Sequence, residues 1–362
     1  MVTAWVSVGF SNNPFASIVR SKMRFQVSII VPTYRRPEML RKCVASLWES
    51  DTKPDEIILV GRQGDRETEV TIAQLQKDPR NRLVPIRAFW VTTPGHIPPV
   101  QKGVYEAQGE IVAIIDDDVT VSRQWLGRIV SHFYDDQRIG VVGGRVIVPG
   151  RTVAKLKGKP GQISWYGKHW GNIGAVDGPQ PFEVSSVMEC NWAWRRQLLA
   201  SLEFDPVLNI GDASMYGMDL CLQAKAKGFK VVYDPQAVVY HHVAPRAPEL
   251  DRANRPQRVY EFCHNYTYIM LKHLPWERKI IFLLWWFLIG GRGDWGLGAL
   301  VADTFLHGLR WASEVVPAWR GKVKGISAWL TRYSRKGSMK EGPFGTPRES
   351  GSISRGIDTS VD

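Results

Sequence analysis

Cysteine is scarce: Cys43, Cys190, Cys221 and Cys263 are widely scattered, form no CxxC pair and mostly sit inside apolar stretches. That pattern excludes a disulfide scaffold and fits reduced core thiols in a cytoplasmic protein. Long apolar runs are also missing. The longest, Ile280 to Ile289, falls well short of the ~20 residues a spanning helix needs, and Arg292 and Asp294 follow closely. A simple span is therefore disfavoured. The first 24 residues lack the basic start and continuous apolar run of a signal peptide, so residues 1–24 read as an N-terminal extension outside the fold. Acid is the rarer charge, 35 Asp and Glu against 47 Lys and Arg, and the net charge of +12 calls for an anionic partner. Nucleic acid, a phospholipid surface or a phosphorylated substrate would each serve. No zinc, RRM or helix-turn-helix pattern is visible, which sets nucleic acid aside. Apolar residues thin out from Ser334 onward, where Gly, Ser, Arg and isolated charges cannot bury a core, so 334–362 reads as a disordered tail.

What is present is an alternation of strands and helices. Val27 to Val31 is a β-branched apolar run without period-two alternation, as expected of a parallel strand covered on both faces. Pro37 then opens a helix whose Leu40, Cys43, Val44, Leu47 and Trp48 share one face. A strand at Ile57 to Val60, a helix near Glu67 to Gln76, a strand reaching Trp90-Val91, a helix near Val100 to Gln108 and a strand at Ile111 to Ile115 complete a βαβαβ pattern. This predicts a doubly wound, mostly parallel α/β sheet. Ligands bind such sheets beyond the carboxyl ends of their strands, and Asp116-Asp117-Asp118 falls at such an end.

The second half of the core reads less regularly. A helix is marked by Trp125, Ile129, Val130 and Phe133, and a strand by Ile139 to Val142. The glycine-containing stretch from Arg151 to Lys168 holds five cations and no acid, which suits either a loop beside an anionic ligand or a plain solvated loop. Order resumes with Cys190 to Leu199, a helix from about Met218 to Lys227, and strands at Lys230 to Tyr233 and Ala237 to Tyr240. The expected organisation is a core over 25–245, divided into halves 25–118 and 119–245, then a helical, aromatic and basic segment over 246–333. In that segment Trp276, Trp285-Trp286, Trp295, Trp311 and Trp319 alternate with Lys272, Lys279, Arg292, Arg310, Arg320, Lys322 and Lys324. Such a mixture suits peripheral attachment to the anionic inner face of the cell membrane, the alternative being that these tryptophans complete a core or a dimer interface.

Three adjacent carboxylates at the end of an apolar strand resist desolvation unless something positive sits among them. A hard divalent cation with oxygen ligands, Mg²⁺ or Mn²⁺, meets that need and can bridge nucleotide phosphates.

Here the sequence resembles the inverting family 2 glycosyltransferases of GT-A fold, in ordered blocks over roughly residues 26–243. Val27 to Pro37 (VSIIVPTYRRP) looks like the family's opening strand and loop, and the resemblance implies donor contacts from Pro32, Thr33, Tyr34 and Arg36. Gly109 to Asp118 (GEIVAIIDDD), followed by Trp125-Leu126, is similar to the family's strand and metal motif. By that likeness Asp116 approaches the nucleotide, Asp118 ligates the metal and Asp117 assists either. Cys190 to Arg196 (CNWAWRR) resembles the acceptor-side block, where Trp192 or Trp194 could face a sugar ring or simply fill the core. Ala237 to His242 resembles the strand whose terminal histidine completes the metal site, with His241 and His242 both candidates.

Two departures stand out. The second strand runs into Gly61-Arg62 instead of an acid that would read the base, and the usual Glu-Asp-any-Asp block appears as Tyr216-Gly217-Met218-Asp219. An inverting transfer needs a general base, for which Asp219 is the surviving acid of the block and Asp212 the alternative. The implied activity moves a sugar with inversion from a nucleotide-diphosphate donor to a saccharide or lipid-linked acceptor, as in polysaccharide biosynthesis. A polyprenyl-phosphate sugar synthase and a non-catalytic nucleotide-sugar binder are the competing readings.

Overall fold

In the computed structural model, residues 24–151, 159–243, 255–291, 295–307 and 312–338 are described. The expected extension up to Met23, residues 152–158 of the cationic loop, residues 244–254, Arg292, Asp294, Arg310, Trp311 and the tail beyond 338 lie outside them.

Four parallel strands form the first half of the sheet: β1 (Val27–Pro32), β2 (Glu56–Arg62), β3 (Ile86–Val91) and β4 (Ile111–Ile115), in the order β3-β2-β1-β4. They are joined by α1 (Pro37–Glu49), α2 (Arg66–Lys77) and α3 (Ile97–Glu106). Every residue of β1 and β4 is buried, because helices cover both faces of a parallel sheet. Alternate side chains therefore enter different cores: Ile29 and Val31 join Leu40, Val44 and Trp48, whereas Ile30 joins Ile58 and Val100. Asp65 starts α2 by accepting the Thr68 N–H at 3.3 Å, a side-chain N-cap.

The second half is mixed. Beyond β4 come β5 (Val119–Val121), α4 (Trp125–Asp135), β6 (Ile139–Ile147), the two-residue β7 (Phe182–Glu183), β8 (Asn191–Arg195), α5 (Arg196–Ala200), α6 (Tyr216–Ala226) and β9 (Lys230–His241). The sheet continues β4-β8-β6-β9-β5, with β8 antiparallel to both β4 and β6. β9 is one strand where the sequence suggested two. Its pairing with β6 slips between Gly144 and Arg145, a bulge opposite Pro235-Gln236 that interrupts the apolar pattern without ending the strand.

Four further helices follow: α7 (Arg255–His273), α8 (Trp276–Leu284), which passes into a π-helical turn at Trp285–Ile289, α9 (Leu297–His307) and α10 (Ala312–Ser338). α10 runs past Ser334, so the tail-like composition begins inside a helix. These helices are not an appendage. Cys263, Tyr266, Ile269, Phe282 and Trp286 are buried in the same apolar cluster as Trp192, Trp194 and Leu199. α10 packs on α7 through two glycines, where a Cβ at Gly321 would stand 2.4 Å from the Tyr260 carbonyl oxygen and one at Gly325 2.5 Å from that of His264. Among the described residues, no helix is long and apolar enough to cross a membrane.

Candidate active site

The carboxyl end of β4 delivers the acidic triplet, and the pairing of β5 with β9 delivers its partner. Val119 lies opposite His241 in that ladder, and the His242 N–H donates to the Asp118 carbonyl at 2.8 Å. Consecutive strand residues point to opposite faces, so only one of the two histidines can reach the carboxylates. It is His241, whose Nε2 stands 3.1 Å from Asp118 Oδ1, whereas the His242 ring turns to the Thr120 hydroxyl at 2.9 Å. Asp116, Asp118 and His241 each offer a ligand atom within 4.8 Å of the others, a grouping that does not include His242.

Two carboxylates and an imidazole form a donor set suited to a divalent ion such as Mn²⁺ or Mg²⁺, with positions left for phosphate and water. Asp117 has a different role. Its Oδ2 accepts from the Thr33 hydroxyl at 2.9 Å and its Oδ1 from Arg36 Nη1 at 2.9 Å, and the same guanidinium reaches Asp118 Oδ2 at 3.0 Å. Burial raises Asp117 to about 7, the Arg36 charge opposes this, and the neighbouring Asp118 and Asp116 push it further up.

Asp116, Asp117 and His241 line the floor of a cleft of about 1030 Å³. One wall carries Pro32, Thr33, Tyr34 and Arg36, the positions expected to hold the donor. The Tyr34 ring is flanked by the guanidinium carbons of Arg35 and Arg62, 5.0 and 5.1 Å from its centroid. In place of a base-reading acid, β2 thus ends on an arginine packed against an aromatic face. Gly61 is required there, since a Cβ would stand 2.3 Å from the Trp90 ring.

The opposite wall departs from the sequence reading. Asp219 does not line the cleft. It is 1% exposed, with Oδ1 bonded to His273 Nε2 at 2.6 Å and Oδ2 bonded to Lys272 Nζ and Gln223 Nε2, both at 2.8 Å. Burial alone would raise its pKa, but the His273 hydrogen bond and the Lys272 charge hold it below the ordinary carboxylate value. Lys272 also pairs with Asp205, which accepts from Tyr268 and Arg332, so Asp219 belongs to an ion cluster locking α7 and α10 to α6. Trp192 and Trp194 are core residues, each 0% exposed and 5.2 Å apart centroid to centroid, and neither presents a face to a sugar.

Asp212 does line the cleft, together with a carboxylate the sequence reading missed, Glu189. Glu189 Oε1 accepts the Gly217 N–H at 3.1 Å, at the first turn of α6. Burial raises it to about 7, backbone N–H groups oppose the rise, and the Asp116 charge adds to it. Its only signal in the sequence is a lone acid in Val187-Met188-Glu189-Cys190, immediately before the acceptor-side block.

Residues 28–201 match the model of the family described as glycosyl transferase family 2. Among curated proteins, the O-antigen biosynthesis protein RfbC of Myxococcus xanthus is 27% identical over 230 residues, 60% of this chain and 17% of that protein. The uncharacterized protein y4gI of Sinorhizobium fredii is 27% identical over 232 residues, 60% of this chain and 24% of that protein. The chain therefore matches less than a quarter of the length of either relative. Among solved structures, a mannosyltransferase from Pyrobaculum calidifontis in complex with GDP-Man and Mn²⁺ superposes with a TM-score of 0.53 at 17% identity, covering 89% of each chain. The fold is thus that of GT-A glycosyltransferases.

Proposed function

Given a family 2 glycosyltransferase domain over residues 28–201, we propose that the protein transfers a sugar from a nucleotide-diphosphate donor to a hydroxyl acceptor. The observation that carries this reading is the Asp116, Asp118 and His241 group, whose Asp116 and His241 line a cleft that also carries Pro32, Thr33, Tyr34 and Arg36. Asp116, Asp118 and His241 would hold the divalent ion, which supplies Lewis-acid stabilisation of the diphosphate leaving group. Tyr34, braced by two guanidinium groups, offers a flat face to the nucleotide base. Arg36 pairs with Asp117 and Asp118 and stands on the cleft wall where a diphosphate would enter. The acceptor is a saccharide or a lipid-linked saccharide, and the relative named for O-antigen biosynthesis supports a place in polysaccharide assembly. Transfer proceeds with inversion in this reading.

The test is a panel of UDP-, GDP- and dTDP-linked hexoses incubated with Mn²⁺ or Mg²⁺, followed for release of the nucleoside diphosphate. Hydrolysis of one donor, abolished by chelator, is expected. Absence of both binding and hydrolysis across the panel would rule the reading out.

A further inference from the structure

We propose that Glu189 is the general base of the transfer, its carboxylate seated over Gly217 at the start of α6. This rests on the glycosyl-transfer reading above. The carboxylates lining the cleft among the described residues are Asp116, Asp117, Glu189, Asp212 and Glu261. Asp116 belongs to the metal-binding group, and Asp117 is held by Thr33 and Arg36. Glu261 accepts from Gln257 at 2.9 Å and lies against Gly211, where a Cβ would stand 2.1 Å from its Oε2. Glu189 differs from Asp117 and Glu261, and Asp212 is the alternative that the experiment below separates from it. Backbone N–H groups hold Glu189, and no side chain among the described residues bonds it.

The backbone is shaped around this side chain. A Cβ at position 217 would stand 2.5 Å from Glu189 Cγ and 3.0 Å from its Cδ, so any residue larger than glycine would displace the carboxylate. The preceding residue, Tyr216, lines the same cleft, and its hydroxyl is buried and without a hydrogen-bond partner among the described residues. A buried hydroxyl left unbonded is costly, and an acceptor hydroxyl entering next to Glu189 would satisfy it. Burial raises the Glu189 carboxyl above the ordinary glutamate range, which increases its proton affinity.

The step balances as a single displacement. The acceptor oxygen forms a bond to the anomeric carbon with one of its lone pairs. The bond from that carbon to the diphosphate oxygen breaks, and its pair leaves with the nucleoside diphosphate. The acceptor's proton passes to a Glu189 carboxylate oxygen and is later released to water.

The experiment uses the full chain and the donor that the wild type hydrolyses in the nucleotide-sugar panel, with Mn²⁺. Glu189→Gln is expected to lower turnover roughly 10²- to 10⁴-fold while leaving the donor dissociation constant within about twofold, measured by calorimetry. Glu189→Gly should show a similar loss, and adding Gly217→Asp should recover at least about tenfold of it by returning a carboxylate to the same place from the α6 side; that size of recovery lies within the range a general base supplies. A purely structural role for Glu189 would not be rescued by that exchange. Wild-type turnover in Glu189→Gln, loss of donor binding in it, or a large loss in Asp212→Asn alone would each overturn the assignment. Wild-type protein that binds donor without ever turning it over would overturn the transfer reading itself.

Discussion

Single positions in this chain divide by what surrounds them rather than by residue type. Asp118 and Asp219 are both buried aspartates beside a histidine, yet one sits with the cleft-lining Asp116 and His241 and the other is enclosed by Lys272, His273 and Gln223. Removing the Asp219 charge leaves Lys272 paired only with Asp205, and breaking one partner of a buried pair costs about 3–5 kcal/mol. Asp219→Asn is therefore expected to lower unfolding stability by an amount of that order in urea titrations, while folded protein keeps its donor affinity. Because the folded pKa of Asp219 is depressed, its contribution is present above the unfolded value of about 3.9 and disappears as pH falls through the folded value. The wild-type advantage over Asp219→Asn should thus be full at neutral pH and shrink below pH ~4. A constant difference down to strong acid would contradict the ion-cluster assignment. The two histidines separate as cleanly: His241→Ala should weaken Mn²⁺ binding, followed by electron paramagnetic resonance, whereas His242→Ala should not. Equal effects would place the wrong ring at the metal.

At the scale of elements, the C-terminal helices divide their residues differently from the sequence expectation. Trp286, Trp295 and Lys322 are buried, with Lys322 donating to the Trp286 carbonyl at 2.6 Å, and Trp319 bonds the Trp295 carbonyl at 2.8 Å. These residues build the core instead of touching lipid. What faces outward is apolar: Trp276, Ile280, Leu284 and Leu288 along α8 and its π-helical turn, and Leu297, Val301 and Phe305 along α9. Exposed apolar side chains of this kind, with exposed Arg278 on α8, are what attachment to an anionic membrane surface, expected from the sequence, would use. Full-length protein is expected to sediment with phosphatidylserine vesicles at low salt and to be only partly released by high salt, and Val301→Ser with Phe305→Ser should abolish the salt-resistant part. Protein that ignores the vesicles at low salt would exclude lipid and leave self-association as the role of this face. Truncation before α7 would not test this, because it removes Tyr266, Phe282 and Trp286 from the shared core.

For the whole molecule, most of the parallel half was legible in the sequence. Fully buried parallel strands carry continuous apolar runs, and β1, β2 and β4 announce themselves in that way. The acidic triplet was legible too, since three carboxylates after such a strand have few structural explanations. The acceptor side was not, because its chemistry depends on residues far apart in sequence. Which of His241 and His242 faces the triplet is decided by β5–β9 register, and whether Asp219 meets solvent is decided by α7, more than 30 residues downstream. Glu189 becomes conspicuous only once Gly217 is seen beneath it. Motif position therefore brought Asp116, Asp118 and His241 together and put Pro32, Thr33, Tyr34 and Arg36 on the cleft, but it did not reveal that Asp219 is enclosed away from that cleft.

The most direct measurement of the central claim is the binding of the hydrolysed nucleotide sugar by calorimetry, with and without Mn²⁺, in wild type and in Asp118→Ala. Tight binding by wild type that requires Mn²⁺, and loss of that metal-dependent part in Asp118→Ala, is the expected result. Donor binding and turnover that are indifferent to Mn²⁺, to excess chelator and to Asp118→Ala would contradict a metal-assisted transfer at this site.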